Sequence, residues 1–257
     1  MHSIDALSYR SRLRYRNPGV KFGYAAATLL ACILSRSLLI ALAVLAVNFL
    51  LTVNRGGTPA LQYGRVMAVP LVFLLFSGAA LTLDLSSVPL DLFALRLGKL
   101  YLTGSRESLA YALRLSLTSL AAVSCLVFLS LTTTVTDVLS VLRKLRCPGL
   151  LLELMLLIYR YIFVLSGEAH AIRSAQVSRL GNRDYRRSVT SFGMLGGALF
   201  IRSVSRSRAL YDAMEARCYD GTIRVLEESR PPERRDILWI VLFEGCLVLL
   251  GMGEKLL

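Results

Sequence analysis

Five times along this chain a nearly uncharged apolar run interrupts an arginine-rich sequence, at residues 20–34, 38–53, 66–83, 109–131 and 237–252. A helix needs ~20 predominantly apolar residues to cross a bilayer, and in lipid its backbone polar groups must be satisfied internally. The runs therefore predict membrane helices packed side by side. The first two are short for a span, so a tight hairpin around Ser35-Arg36-Ser37 is expected, with interfacial ends or residues borrowed from the flanks. Pro70 is expected to kink the third span, because proline removes a backbone donor and crowds the preceding turn.

Charge then orients the spans. Apolar residues make up 55% of the 257 positions and the formal net charge is +13. That combination fits neither a soluble enzyme nor a disordered tail, and it suits a multi-pass membrane protein with a basic cytoplasmic side. The leader carries Arg10, Arg12, Arg14 and Arg16, which places the N-terminus in the cytoplasm. The loop 54–65, with Gly56, Gly57 and Pro59, reads as a cytoplasmic turn, and the charged, proline-stiffened loop 222–236 reads as cytoplasmic too. Residues 84–107 become the external connection, against the grain of Arg96, Lys99 and Arg106 but accompanied by Asp84, Asp91 and Glu107. Because the arginines alternate with lipid-like spans, the inside-positive bias explains them more simply than nucleic-acid binding does.

Two charges fall within spans. Arg114 lies near the outer end of the fourth, where its long side chain can snorkel to the headgroups; the sharper alternative is a functional intramembrane charge. Glu244 lies near the middle of the last span, past Trp239 as an interface anchor. It is expected to face other helices, as a packed neutral acid or as a group meeting a partner. The five cysteines are scattered, no GxxxxGK[ST] phosphate loop is present, and His2 and His170 form no ligand cluster, so no cofactor and no metal site is expected. No cleavable signal peptide is evident.

Residues 132–236 are different in character. Val138, Leu139, Leu142 and Leu145 form an apolar stripe opposed by Arg143, Lys144 and Arg146, an amphipathic helix ended by Pro148-Gly149. A helix over 150–180 follows, about 45 Å long at 1.5 Å per residue. Its first half, 150–165, is oily and fits either the bilayer interior or its surface. The piece 185–217 repeats the scheme. Gly193 and Gly197, four apart, would let another helix approach closely, and the two arms are expected to cross there. Each arm finishes on an arginine followed by a glycine stop signal: Ser178-Arg179-Leu180 with Gly181 next, and Ala216-Arg217-Cys218 with Gly221 beyond. The chain thus divides into 1–131 (leader and four spans), 132–236 (a module of three helices) and 237–257 (last span). The fold class is an all-α integral membrane bundle of about five spans with long crossed helices outside it.

With these arginines a resemblance emerges. The pair is similar to the two Ala-Arg-Gly signatures of the transmembrane T component of energy-coupling-factor importers, in its cobalt branch, the CbiQ family. Agreement runs through IDALSYRSRL, SLTTTVTDVLSVLRKLRCP, LLIYRYIFVL, YDAMEARCYDG and SRPPERRD. The departure is that each signature keeps its arginine and lacks the glycine directly after it, which bears on exit geometry rather than charge. The resemblance implies a non-catalytic subunit of the cell (inner) membrane. Its arginines dock into grooves on two CbiO-like ATPase subunits, and its partner is a CbiM-like substrate-binding S subunit, with or without a small CbiN-like one. Cobalt or nickel uptake is the implied function, and substrate choice falls to the other subunit. The alternatives are the same scaffold serving a vitamin, and a stand-alone secondary transporter using Arg114 and Glu244. A membrane enzyme is disfavoured, since no nucleophile, base or metal ligands cluster.

Overall fold

The computed structural model describes residues 3–35, 37–82, 84–86, 93–97, 100–104, 106–221 and 231–256. The expected residues Arg36, Asp91 and Lys99, and the charged loop up to residue 230, lie outside them. Nine α-helices are described: α1 Ser3–Arg10, α2 Pro18–Ser35, α3 Leu38–Leu50, α4 Ala60–Thr82, α5 Arg106–Thr132, α6 Val135–Lys144, α7 Gly149–Ser178, α8 Tyr185–Glu215 and α9 Arg234–Leu256. Five helical stretches among the described residues are long and apolar enough to cross a membrane: Pro18–Ser35, Leu38–Arg55, Ala60–Thr82, Arg106–Thr132 and Gly149–Ser178. The chain is an all-α membrane bundle, with one small addition.

The addition lies between α4 and α5. Strands β1 Asp84–Ser86, β2 Phe93–Leu97 and β3 Leu100–Gly104 form an antiparallel sheet in the order β1-β3-β2, with Asp84 opposite Thr103 and Leu95 opposite Leu102. Short strands of this kind leave little periodic signal, and the sequence reading placed only an external connection there.

Local chemistry lengthens the spans that looked short. Asn17 caps α2, its Oδ1 accepting from the backbone N–H of Gly19 at 2.8 Å and of Val20 at 3.3 Å, and Pro18 takes the first helical position, where its missing donor costs nothing. Helix α3 begins at an N-cap serine, Ser37, whose Oγ accepts from Ile40 N–H. It then runs on through a π-helical turn, Leu51–Arg55, closed by Gly56 N–H to Leu51 O at 2.8 Å. That turn needs its glycine, because a Cβ on Gly56 would stand 2.4 Å from the Thr52 carbonyl oxygen. Helix α4 starts six residues before its apolar run and carries Pro70 inside it.

Two compact units result, one of residues 2–138 with 229–257 and one of residues 139–228. In the first, α2, α3, α5 and α9 share a core in which Cys32, Ile40, Ala41, Val44, Ala121, Cys125 and Leu247 are almost fully buried. A polar chain threads it: Tyr24 Oη donates to Asn48 Oδ1 at 2.9 Å, and Asn48 Nδ2 donates to Ser124 Oγ at 2.9 Å. Every member is buried, so in a lipid-embedded core these bonds fix the register of three helices.

The leader fixes which helix ends share a face. Arg12 N–H and Ser11 Oγ both donate to the Gly56 carbonyl, at the end of the second span. The buried Lys21 Nζ donates to the Thr132 carbonyl at 2.8 Å, at the end of α5, and to Leu13 O at 3.2 Å. Arg16 pairs with Asp236 and Glu233, at the start of α9. Its hydrogen bond to Asp236, more than the neighbouring charges, raises the arginine pKa further. The start of α2, the ends of α3 and α5 and the start of α9 therefore lie on one side. At the other side, a Cβ on Gly251 of α9 would meet Ser35 Oγ at 3.0 Å and Ile40 Cδ1 at 3.2 Å, beside the α2–α3 turn. Helix α9 traverses the full depth of the bundle.

Candidate functional site: two arginine-tipped helix ends

The second unit contains α7, of 30 residues, and α8, of 31. Both close in the same way. At the end of α7, Arg179 is the C-cap, Leu180 has φ 57°, and Gly181 N–H returns to Gln176 O at 2.8 Å. At the end of α8, Ala216 is the C-cap, Cys218 has φ 57°, and Tyr219 N–H returns to Met214 O at 3.1 Å. These are left-handed exits with a six-to-one bond, a geometry glycine usually supplies. Here the left-handed residue is the one directly after each arginine. The glycine missing from both signatures is thus missing at the position that would use it, and leucine and cysteine adopt the conformation regardless.

Ser178, Arg179, Leu180, Ala216, Arg217 and Cys218 are all exposed. Among the described residues neither Arg179 nor Arg217 offers its guanidinium to a hydrogen bond or an ion pair within the chain. Other arginines of this unit are engaged: Arg206 and Arg202 with Glu168 at 2.7 and 3.8 Å, and Arg187 with Asp184. A guanidinium presents five donors in a rigid fork suited to carboxylates and carbonyls of a groove. Arg179 and Arg217 present this fork at exposed helix ends.

Each tip is pinned to the opposite arm. Gln176 Nε2 donates to Ser191 O at 2.8 Å and Ser191 Oγ donates to Gly181 O at 2.9 Å, which ties the first tip to α8. Tyr219 Oη donates to Glu153 Oε2 at 2.7 Å, which ties the second tip to the beginning of α7. That bond favours the protonated phenol and raises its pKa. With the second tip held beside Glu153 and the first at the far end of α7, the 1.5 Å rise per residue separates the two arginines by about 40 Å. The tips are two separate points, not halves of one pocket.

Gly193 and Gly197 do not bring the arms together as the spacing suggested, since a Cβ at either would meet open space. The close approach is at Gly181, where a Cβ would stand 2.8 Å from both Gln176 O and Ser191 Oγ. A GxxxG pair licenses close packing without requiring it; the bonds through Ser191 required it elsewhere.

A family model described as cobalt transport protein, CbiQ, matches residues 10–228 of this chain. The chain belongs to the CbiQ family. Its relatives include the cobalt transport protein CbiQ of Rhodobacter capsulatus, 32% identical over 245 residues and 93% of each chain. An uncharacterised protein of Methanocaldococcus jannaschii is 30% identical over 98% of this chain and 93% of its own. A putative fused cobalt transport protein CbiMQ of Methanocorpusculum labreanum is 37% identical over 76% of this chain, which spans 33% of that longer protein. For this CbiQ family member the non-glycine exits carry an energetic consequence. A left-handed non-glycine residue costs roughly 1–2 kcal/mol, partly offset by the freedom glycine adds to the unfolded chain. Leu180→Gly, at a side chain 61% exposed, is expected to stabilise the purified protein by about 0.5–1 kcal/mol, read as a higher melting temperature in detergent. A lower melting temperature would mean that Leu180 packs in a way its exposure does not suggest.

The two charges within the spans are not brought together. Arg114 is exposed on α5, eleven residues before Cys125. Glu244 is partly buried in the bundle, and its Oε1 has no hydrogen-bond partner among the described residues. An amide is cheaper to desolvate than a carboxylate, so Glu244→Gln is expected to stabilise the bundle by about 1 kcal/mol and leave transport intact. Transport lost with an unchanged melting temperature would instead give this carboxylate a transport role.

Proposed function

We propose that this chain is the energy-coupling T subunit of an importer, serving cobalt or nickel uptake, and that it is not itself an enzyme. The observation that carries the reading is the matched pair of helix ends: two exposed arginines, each unengaged among the described residues and each followed by the same left-handed exit. Two such points about 40 Å apart suit one groove on each of two ATPase subunits better than a single pocket. Closure of that pair on ATP would change the distance between the docked tips, and arms pinned to each other at both ends would move with them. The face carrying the leader is the cytoplasmic one in this reading, in keeping with its arginines. The fused CbiMQ relative supports a CbiM-like substrate-binding partner, with or without a small CbiN-like subunit.

Co-purification tests the assignment. The tagged chain, co-expressed with CbiO-like ATPase and CbiM-like substrate-binding subunits, is expected to retain both, and the complex should take up cobalt only with ATP. A chain that purifies alone and accumulates the ion without ATP would be a secondary transporter, and the proposal would fail.

A further inference from the structure

The leader-side face of the bundle carries a cleft that coupling to an ATPase does not use. Its mouth, about 680 Å³, lies between the leader, the end of the second span and the start of α9. Four arginines line it, Arg12, Arg16, Arg55 and Arg235, against two acids, Glu233 and Asp236. Both acids pair with Arg16. Among the described residues Arg12, Arg55 and Arg235 form no ion pair, and all three are exposed. Arg12 runs past Gly57, where an added Cβ would stand 3.5 Å from its side chain, and Arg55 lies 5.6 Å from the ring centre of Trp239.

Beneath this mouth the lining changes. A narrower crevice of about 90 Å³ shares Arg16, Arg55, Asp236 and Trp239 with the mouth and continues down between α2, α5 and α9. Its walls are mainly Val20, Tyr24, Leu51, Phe128 and Ile240, with Asn17 and Lys21 also lining it, the Lys21 ammonium being taken up by the Leu13 and Thr132 carbonyls. A cationic rim at the level of an interfacial tryptophan, opening onto an apolar slot, matches one class of molecule on both counts: an anionic headgroup above and the first part of an acyl chain below. Neither a free anion nor a neutral lipid uses both halves.

We propose that this cleft is a binding site for an anionic phospholipid of the leader-side leaflet, its phosphate held by Arg12, Arg55 and Arg235. The bound lipid would join three otherwise separate pieces, the leader, the second span's exit and α9. The site is independent of the coupling assignment, since it needs only the bundle unit.

The test uses the full chain in detergent with defined lipids, read by native mass spectrometry. Dioleoyl-phosphatidylglycerol should be retained about tenfold better than dioleoyl-phosphatidylcholine, and Arg55→Gln with Arg235→Gln should bring the two to parity, in line with the contribution of surface arginines to anionic-lipid binding. Arg208→Gln, on α8, should leave the preference unchanged. A second measurement needs no variant: the melting temperature of the wild-type protein should rise with phosphatidylglycerol and not with glycerol phosphate or inorganic phosphate. Equal retention of the two lipids, a preference that survives the double substitution, or equal protection by inorganic phosphate would each overturn the proposal.

Discussion

A chain carrying both Arg179→Ala and Arg217→Ala is expected to reach the membrane at the wild-type level and to support no measurable uptake. Losing a central interface arginine costs about 2 kcal/mol or more. The two tips are far enough apart to act independently, so the losses add, and affinity for the ATPase pair should fall on the order of a thousandfold. Each single variant should lie between. Because neither guanidinium is engaged among the described residues, the melting temperature of the isolated protein should be unchanged, which separates docking from folding. Wild-type uptake by the double variant would refute the coupling role.

The second large effect concerns glycine. Gly181→Ala would place a methyl group 2.8 Å from both Gln176 O and Ser191 Oγ, and one of the bonds that pins the first tip to α8 must break. Overpacking of this kind costs about 1–3 kcal/mol. Here it also re-aims Arg179, two residues away, so uptake should fall by more than the stability loss alone explains. Gly193→Ala and Gly197→Ala meet open space inside α8, so they should leave uptake unchanged and raise the melting temperature slightly, as alanine does in place of glycine in a helix interior. Equal effects at all three glycines would show that the arms meet somewhere other than Ser191.

These contrasts mark what could be read from residue order. The first four spans were legible because lipid leaves few options, an uncharged run of sufficient length becoming a helix whatever its neighbours do. The fifth stretch long and apolar enough to cross among the described residues is Gly149–Ser178, not the expected 237–252, which lies in α9. The ends of the spans were less legible. Asn17 and Ser37 are ordinary caps that could have been placed, but the π-helical turn over Leu51–Arg55 depends on Gly56 approaching a backbone oxygen, which no periodicity encodes. The helix ends at Arg179 and Arg217 were found from nearby glycines. The conformation itself sits one residue after each arginine, on Leu180 and Cys218, residue types that carry no such signal. The bond from Tyr219 to Glu153 joins positions 66 apart, and an acid in an oily run gave no indication of its partner. The strands between α4 and α5 were missed because three to five residues each are too few for alternation to register.

The pairing of Arg16 with Asp236 spans 220 positions of the chain. A ribosome releases the arginine long before its carboxylate exists, so throughout synthesis the first four membrane helices wait with one flank open. Leu247 cannot fill its place beside Cys32 and Val44 until α9 has been made. Assembly of the bundle therefore waits for α9, and a chain cut short before it would leave an uncovered seam for quality-control proteases to find.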